Sequence, residues 1–287
     1  MRGSLTILNV KITPMMHKGW AVLSVLLIVG GLGMLLYPIA SGYLAECRQE
    51  DVICTYQTNL DELSKQELKR ARAEAEAYNR QLCSAVRLSD QMVEEISGFS
   101  YEQLLNENED GIMSYIEIPK IKVYLPVYHG TSETVLAKGA GHMQNTSLPV
   151  GGASTHCVIS AHCGDPSAIL FSDLDQMKEE DIFYMHTLGE ILSYRVDQIK
   201  VVLPSEVEEF RVVEGEDHVT LVTCTPFGIN SHRLLVRGKR VEETEAMRTH
   251  AADRDRRFAI GQGYWKGALY AVENTKRTVN TLLLITP

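Results

Sequence analysis

DHVTLVTCTPFGINSHRLLVRGKR, residues 217–240, decides how this chain is read. The β-branched run ahead of Cys224 has the look of a strand, Pro226 and Gly228 mark a turn, and a second run begins at His232. Cys224 therefore comes to a strand end, and Arg233, nine residues on, returns on the neighbouring strand. Taken alone, one cysteine after TLVT reads first as a buried core residue. A guanidinium beside the thiol changes that reading, because it favours the thiolate and can donate hydrogen bonds to a developing oxyanion.

A cysteine nucleophile also needs a proton shuttle, and nine histidines are on offer. His162 closes the apolar run VISA and opens the turn CGDP, again at a strand end. The residues by themselves leave His162, His142 and His232 open.

Outward from this hairpin the chain from Ile112 consists of short alternating segments, IMSYIEI, IKVYLPVY, HCVISA, DIFYMHT, ILSYRVDQIKVVL, DHVTLVTC and HRLLVRGKRV. Turn residues such as Pro119, Gly130, Gly151, Gly152, Gly189 and Gly215 separate them. Seven or eight strands with short helices near SETVLAKG and ILFSDLDQM predict a mainly β barrel or sandwich. There is no internal repeat.

Residues 19–45 carry no charged side chain, and their centre, WAVLSVLLIVGGLGMLLY from Trp20 to Tyr37, is long enough to span a bilayer. Arg2, Lys11 and Lys18 precede it and Glu46, Glu50 and Asp51 follow, so the positive-inside rule predicts a single-pass membrane anchor in membrane lipid with the bulk outside. A cleaved signal peptide is the competing reading; no convincing small-residue cleavage site follows. From Asn59 to about Ala85 the composition predicts a helical stalk, with a surface helix packed through Leu60, Leu63, Tyr78 and Leu82 as the alternative. The resulting division is a cytoplasmic segment 1–18, an anchor 19–45, a stalk and lid region 46–111, a catalytic barrel 112–242 and a tail 243–287.

A net charge of -9 argues against nucleic acid, whose binders cluster Lys and Arg. The pairs His156-Cys157 and His162-Cys163 invite a metal reading. Short Cys-x-x-Cys spacing is absent, however, and strand alternation sends neighbours to opposite faces, so neither metal nor cofactor is expected. Cys47 and Cys54 lie just beyond the anchor, where a short-loop disulfide is an open question.

The segments YIEIPKIKVYLPVYHGTSETVLAKGAGHMQNTSLPVGGASTHCVISAHCG, LFSDLDQM and TLVTCTPFGINSHRLLVRG together resemble class C sortases, the pilin-polymerising cysteine transpeptidases of Gram-positive bacteria. The resemblance covers about residues 101–242. It implies a closed β-barrel of about eight strands, with Cys224 as nucleophile, His162 as acid and base, and Arg233 holding the substrate carbonyl or oxyanion. The implied reaction cleaves a Leu-Pro-x-Thr-Gly-like sorting signal between Thr and Gly and passes the thioester to an amine, as a pilin lysine in pilus assembly. The implied partners are pilins or other surface proteins carrying such a signal.

Two departures stand out. Cys163 occupies the place after the histidine where the family generally has a basic residue. The family's lid triplet, Asp-Pro-aromatic, has its best match in LSDQM, where Asp90 keeps the acid but Gln91 and Met92 replace the others. Asp90 and Met92 are the candidate lid residues, with an ordinary linker helix as the alternative. Two other functions use the same residues: a peptidase that hydrolyses the acyl-enzyme, and an inactive sortase-like platform for assembly.

Overall fold

The computed structural model describes residues 14–88, 98–164 and 170–242. The lid candidates Asp90 and Met92 and the tail from residue 243 lie outside the described residues.

Helix α1 runs from Pro14 to Glu62, and its apolar stretch is wholly unburied by the rest of the protein. It is the one helix among the described residues long and apolar enough to cross a membrane. Cys47 and Cys54 stand on it seven residues apart, about 10 Å along the axis. That exceeds the reach of a disulfide within the helix, and neither cysteine is in a disulfide.

α1 ends at Glu62 and α2, Lys65–Leu88, starts behind a capping box. Ser64 Oγ accepts from the Glu67 N–H at 3.2 Å, and Glu67 Oε2 accepts from the Ser64 N–H at 2.8 Å, so two donors of the new helix end are satisfied. Both helices turn an apolar stripe to the barrel: Ile53, Tyr56 and Leu60 on α1, then Ala71, Ala75, Tyr78 and Leu82 on α2. In the segment from Asn59 to about Ala85, read as a stalk, Leu60, Tyr78 and Leu82 are thus buried, which is the packed-helix alternative. Polar bonds fix the docking. Tyr56 Oη donates to the Met113 carbonyl, and the buried Asn79 amide both donates to Leu148 O (3.1 Å) and accepts from Leu148 N–H (2.7 Å).

Eight strands follow: β1 Ile112–Ile118, β2 Val123–His129, β3 Ala140–His142, β4 Thr155–Ser160, β5 Ile182–Thr187, β6 Glu190–Val202, β7 Asp217–Thr225 and β8 His232–Arg240. They close into a barrel in the order β1-β2-β3-β4-β7-β8-β6-β5, with β5 antiparallel to β1 completing the ring. The short strand β3 was not among the segments read from sequence, because three residues leave no alternation to recognise. SETVLAKG does form a helix, α3, over Glu133–Leu136. ILFSDLDQM contributes only a 3-10 turn at Leu174–Gln176.

The central stretches of strands β4, β7 and β8 are buried on both faces. Inward they present Cys157 and Ile159, Val219 and Leu221, Leu234 and Val236 to the main core. Outward, Val158, Val222 and Leu235 join Val202 of β6 in a second, smaller cluster, covered in part by Met143 and Phe210. His156 and Cys157 thus face opposite ways.

Asn79→Leu keeps the branching and heavy-atom count of the side chain but leaves both polar groups of Leu148 without their partner. At about 1–3 kcal/mol for each unsatisfied group, the folded state should lose roughly 2–5 kcal/mol. Denaturant unfolding followed by circular dichroism measures it, and a change under about 0.5 kcal/mol would mean that water replaces the amide.

Candidate active site

The hairpin read from sequence is present, with Cys224 directly opposite Arg233 in the antiparallel β7–β8 ladder. Paired residues share a face. Val222 faces Leu235 two residues down, so the thiol and the guanidinium stand on the outer face, above the small apolar cluster.

On the other side β7 pairs in parallel with β4, in a register that sets Ser160 beside Val222. The ladder continues one step past the strand end, since the Ala161 N–H donates to Val222 O (3.1 Å) and Thr223 Oγ1 donates to Ala161 O (2.8 Å). Continuing that register sets His162 beside Cys224. His162 is held by its own carbonyl, which accepts from the Phe171 N–H at 3.0 Å. Three neighbouring strands therefore bring His162, Cys224 and Arg233 into one row at the barrel rim.

The other two candidate histidines do not join this row. His142 is fully buried, its ring bonded to Tyr101 Oη at 2.9 Å and to the Ser147 carbonyl at 2.9 Å. Burial lowers its pKa to about 4, so it is neutral and has no route to a reacting group. His232 sits opposite Thr225, one residue out of phase with Arg233, and its Nδ1 is 2.8 Å from Ser231 Oγ.

Cys224, His162 and Arg233 are each half-buried. Arg233 Nη1 donates to the carbonyls of Asn230 and His232, both at 3.1 Å, which ties the guanidinium to its own turn. Among the described residues neither Nε nor Nη2 has a protein partner, so both can address a ligand. The loop after β4 is pressed against the β7–β8 turn: a Cβ on Gly164 would lie 2.1 Å from the Phe227 ring, and Gly164 has φ +80°. A glycine is required there on both counts.

Cys163 is half-buried, with Sγ 3.9 Å from Ser172 O. Burial first, then the Asp175 carboxylate, Cys224 and Asp173, push its pKa up and keep it a neutral thiol. A basic side chain at this place would add positive charge beside Cys224, and this chain has none. The sequence reading also missed Glu133, whose Oε2 lies 3.3 Å from His162 Nε2. Nothing local in TSETVL signals that contact. Among the described residues no group of His, Cys, Asp and Glu is arranged as a metal site.

Burial also lowers His156 to about 4; it sits between the Arg211 carbonyl (2.9 Å) and Thr220 Oγ1 (2.7 Å). Both rings stay neutral in the fold while the unfolded chain protonates near 6.5. Stability is then full above about pH 6.5, falls as the pH drops toward about 4, and levels off below, with a loss of up to about 3 kcal/mol for each ring. Thermal unfolding of wild type and His142→Gln across this range checks it: the variant should show the shallower slope, and equal slopes would refute the assignment.

A family model described as the sortase domain matches residues 116–241. The crystal structure of Streptococcus pneumoniae sortase C is similar at 45% identity and a TM-score of 0.60, covering 68% of this chain and 98% of that one. Clostridium perfringens sortase C, solved with the C-terminal cell wall sorting motif, is 39% identical with a TM-score of 0.58, over 67% and 99% of the two chains. By sequence, a sortase A of Streptococcus agalactiae is 31% identical over 117 residues, 40% of this chain and 47% of that protein, so the match spans about half its length. The chain belongs to the sortase family of cysteine transpeptidases, and its structural neighbours are class C sortases.

Proposed function

We propose that this chain cleaves a Leu-Pro-x-Thr-Gly-like sorting signal between Thr and Gly and transfers the acyl group to an amine, a pilin lysine in fibre assembly. The observation that carries this reading is the row of His162, Cys224 and Arg233, set by two strand registers on one face. The Cys224 thiolate attacks the Thr carbonyl carbon, and the tetrahedral oxyanion is met by Arg233 donors in a half-buried site where they are worth more than in water. Collapse breaks the Thr–Gly bond, His162 protonates the departing Gly amine, and a thioester remains on Cys224. The incoming amine attacks the thioester, loses its proton to His162, and leaves the thiolate restored.

The substrate assignment draws on the relatives. The Clostridium perfringens structure carries a sorting motif, and the Streptococcus pneumoniae work concerns pilin specificity. The charge asymmetry around α1 supports a barrel outside the membrane, where surface proteins carrying sorting signals would meet it.

Full-length protein in detergent, incubated with a sorting-signal peptide, should accumulate a Cys224 thioester seen by intact-mass spectrometry, and an added lysine-bearing pilin should convert it to an amide. Cys224→Ala should form no adduct, and Arg233→Ala should slow formation by about 10²–10³-fold. Release of only the free acid in the presence of acceptor would mean a hydrolase instead. A near-normal rate for Arg233→Ala would remove it from the site.

A further inference from the structure

A histidine that alternates between base and acid must keep one ring nitrogen aimed at the reacting atoms, and its other nitrogen decides the tautomer. His162 Nε2 lies 3.3 Å from Glu133 Oε2. We propose that Glu133 is a positioning residue that holds the proton of His162 on Nε2, leaving Nδ1 as the atom that exchanges protons with substrate. The inference rests on the acid and base role proposed above for His162.

The fold fixes the backbone on both sides of the contact, though the Glu133 side chain itself is exposed. Glu133 is the first residue of α3, which bridges β2 and β3. β3 lies antiparallel to β4 with Gly141 opposite Ser160, two residues before His162. A Cβ at position 141 would stand 2.2 Å from the Gly130 carbonyl and 3.1–3.2 Å from Val135 and Leu136 of α3. The bare backbone at Gly141 lets the connection close over β3, and this carries Glu133 to the loop after β4. The α3 backbone is tied down as well, with the Val135 and Leu136 N–H groups both donating to Ser132 O at 2.9 Å.

With the Nε2 proton favoured by the nearby carboxylate, Nδ1 gives its proton to the departing Gly amine and later takes one from the incoming amine. Glu133 itself neither gains nor loses a proton. Its side chain is 89% exposed, so the contact is screened and its value lies in orientation more than in charge. A carboxylate behind a histidine acts this way in other nucleophilic sites, where the oriented tautomer carries the effect.

The test uses the full-length protein in detergent and three variants. Glu133→Met keeps length without an acceptor, Glu133→Gln keeps an acceptor without charge, and Glu133→Asp keeps charge with a shorter reach. Turnover with sorting peptide and amine should fall on the order of tenfold in Glu133→Met, part of the roughly 10²–10⁴-fold that a positioned acid and base supplies. KM for the peptide should stay within about twofold, since Glu133 acts after binding. Glu133→Gln should recover most of the loss and Glu133→Asp less. Long-range proton–nitrogen NMR of labelled histidine gives an independent readout: the His162 proton sits on Nε2 in wild type and distributes over both nitrogens in Glu133→Met. Unchanged turnover, or a ring proton still on Nε2 in Glu133→Met, overturns the proposal. If wild type forms no thioester at all, the transferase reading fails, and the NMR result still decides whether Glu133 sets the tautomer. Coincident thermal unfolding curves show that the exposed substitutions leave the fold intact.

Discussion

The register of β7 against its two neighbours is the constraint on which the site depends. One strand pairs in parallel with β4 and antiparallel with β8; the β8 ladder includes Cys224, and the β4 ladder ends at Val222, two residues before it. Side chains in a sheet alternate faces, so a slip of one residue in either ladder would send a partner into the barrel core. What holds the register is burial on both faces. Val219, Leu221, Leu234 and Val236 fill the interior, and Val222 and Leu235 pack outside with Val158 and Val202. Each such side chain is worth about 1.5–3 kcal/mol when fully buried, far more than any contact among the three candidate groups at the exposed rim. Core packing therefore places the chemistry, and the site need not hold itself together.

The rest of the molecule supports that arrangement from outside. α2 packs through its Ala, Tyr and Leu stripe and clamps the chain at Leu148 through Asn79, between β3 and β4. Phe227 lies against Gly164, so the loop that carries His162 is in contact with the turn that follows Cys224. Lowering one barrier with an oxyanion donor and an acid requires donors held near their working positions before substrate arrives. Neutral Cys163 beside the site means that Arg233 is the positive charge this geometry sets next to the nucleophile.

How much of this could be read from residues alone depends on the sequence distance of each contact. Cys224 and Arg233 sit in one hairpin, and a strand, a Pro-Gly turn and a second strand are enough to bring them together. His162 is brought in by a parallel pairing with a strand some sixty residues away, for which no local signal exists, and the resemblance to a family chose it over His142 and His232. The barrel was legible as a set of alternating runs, while its strand order and the three-residue β3 were not. The stripe on α2 was visible, but composition alone equally allowed a free stalk, because Ala, Glu, Lys and Arg favour helix in either setting. Glu133 was invisible for the same reason as His162: its partner is distant in sequence, and its approach turns on the bare backbone at Gly141.

The central claim is that one face of three strands presents His162, Cys224 and Arg233 to a single peptide carbonyl. A crystal structure of the protein with a sorting-signal peptide trapped covalently on Cys224 tests it most directly. The Thr carbonyl oxygen is expected about 2.7–3.1 Å from an Arg233 nitrogen, with the peptide approaching on the face of β7 and β8 that carries Cys224 and Arg233. A carbonyl turned away from Arg233, or a peptide entering from the interior face of the barrel, would contradict it.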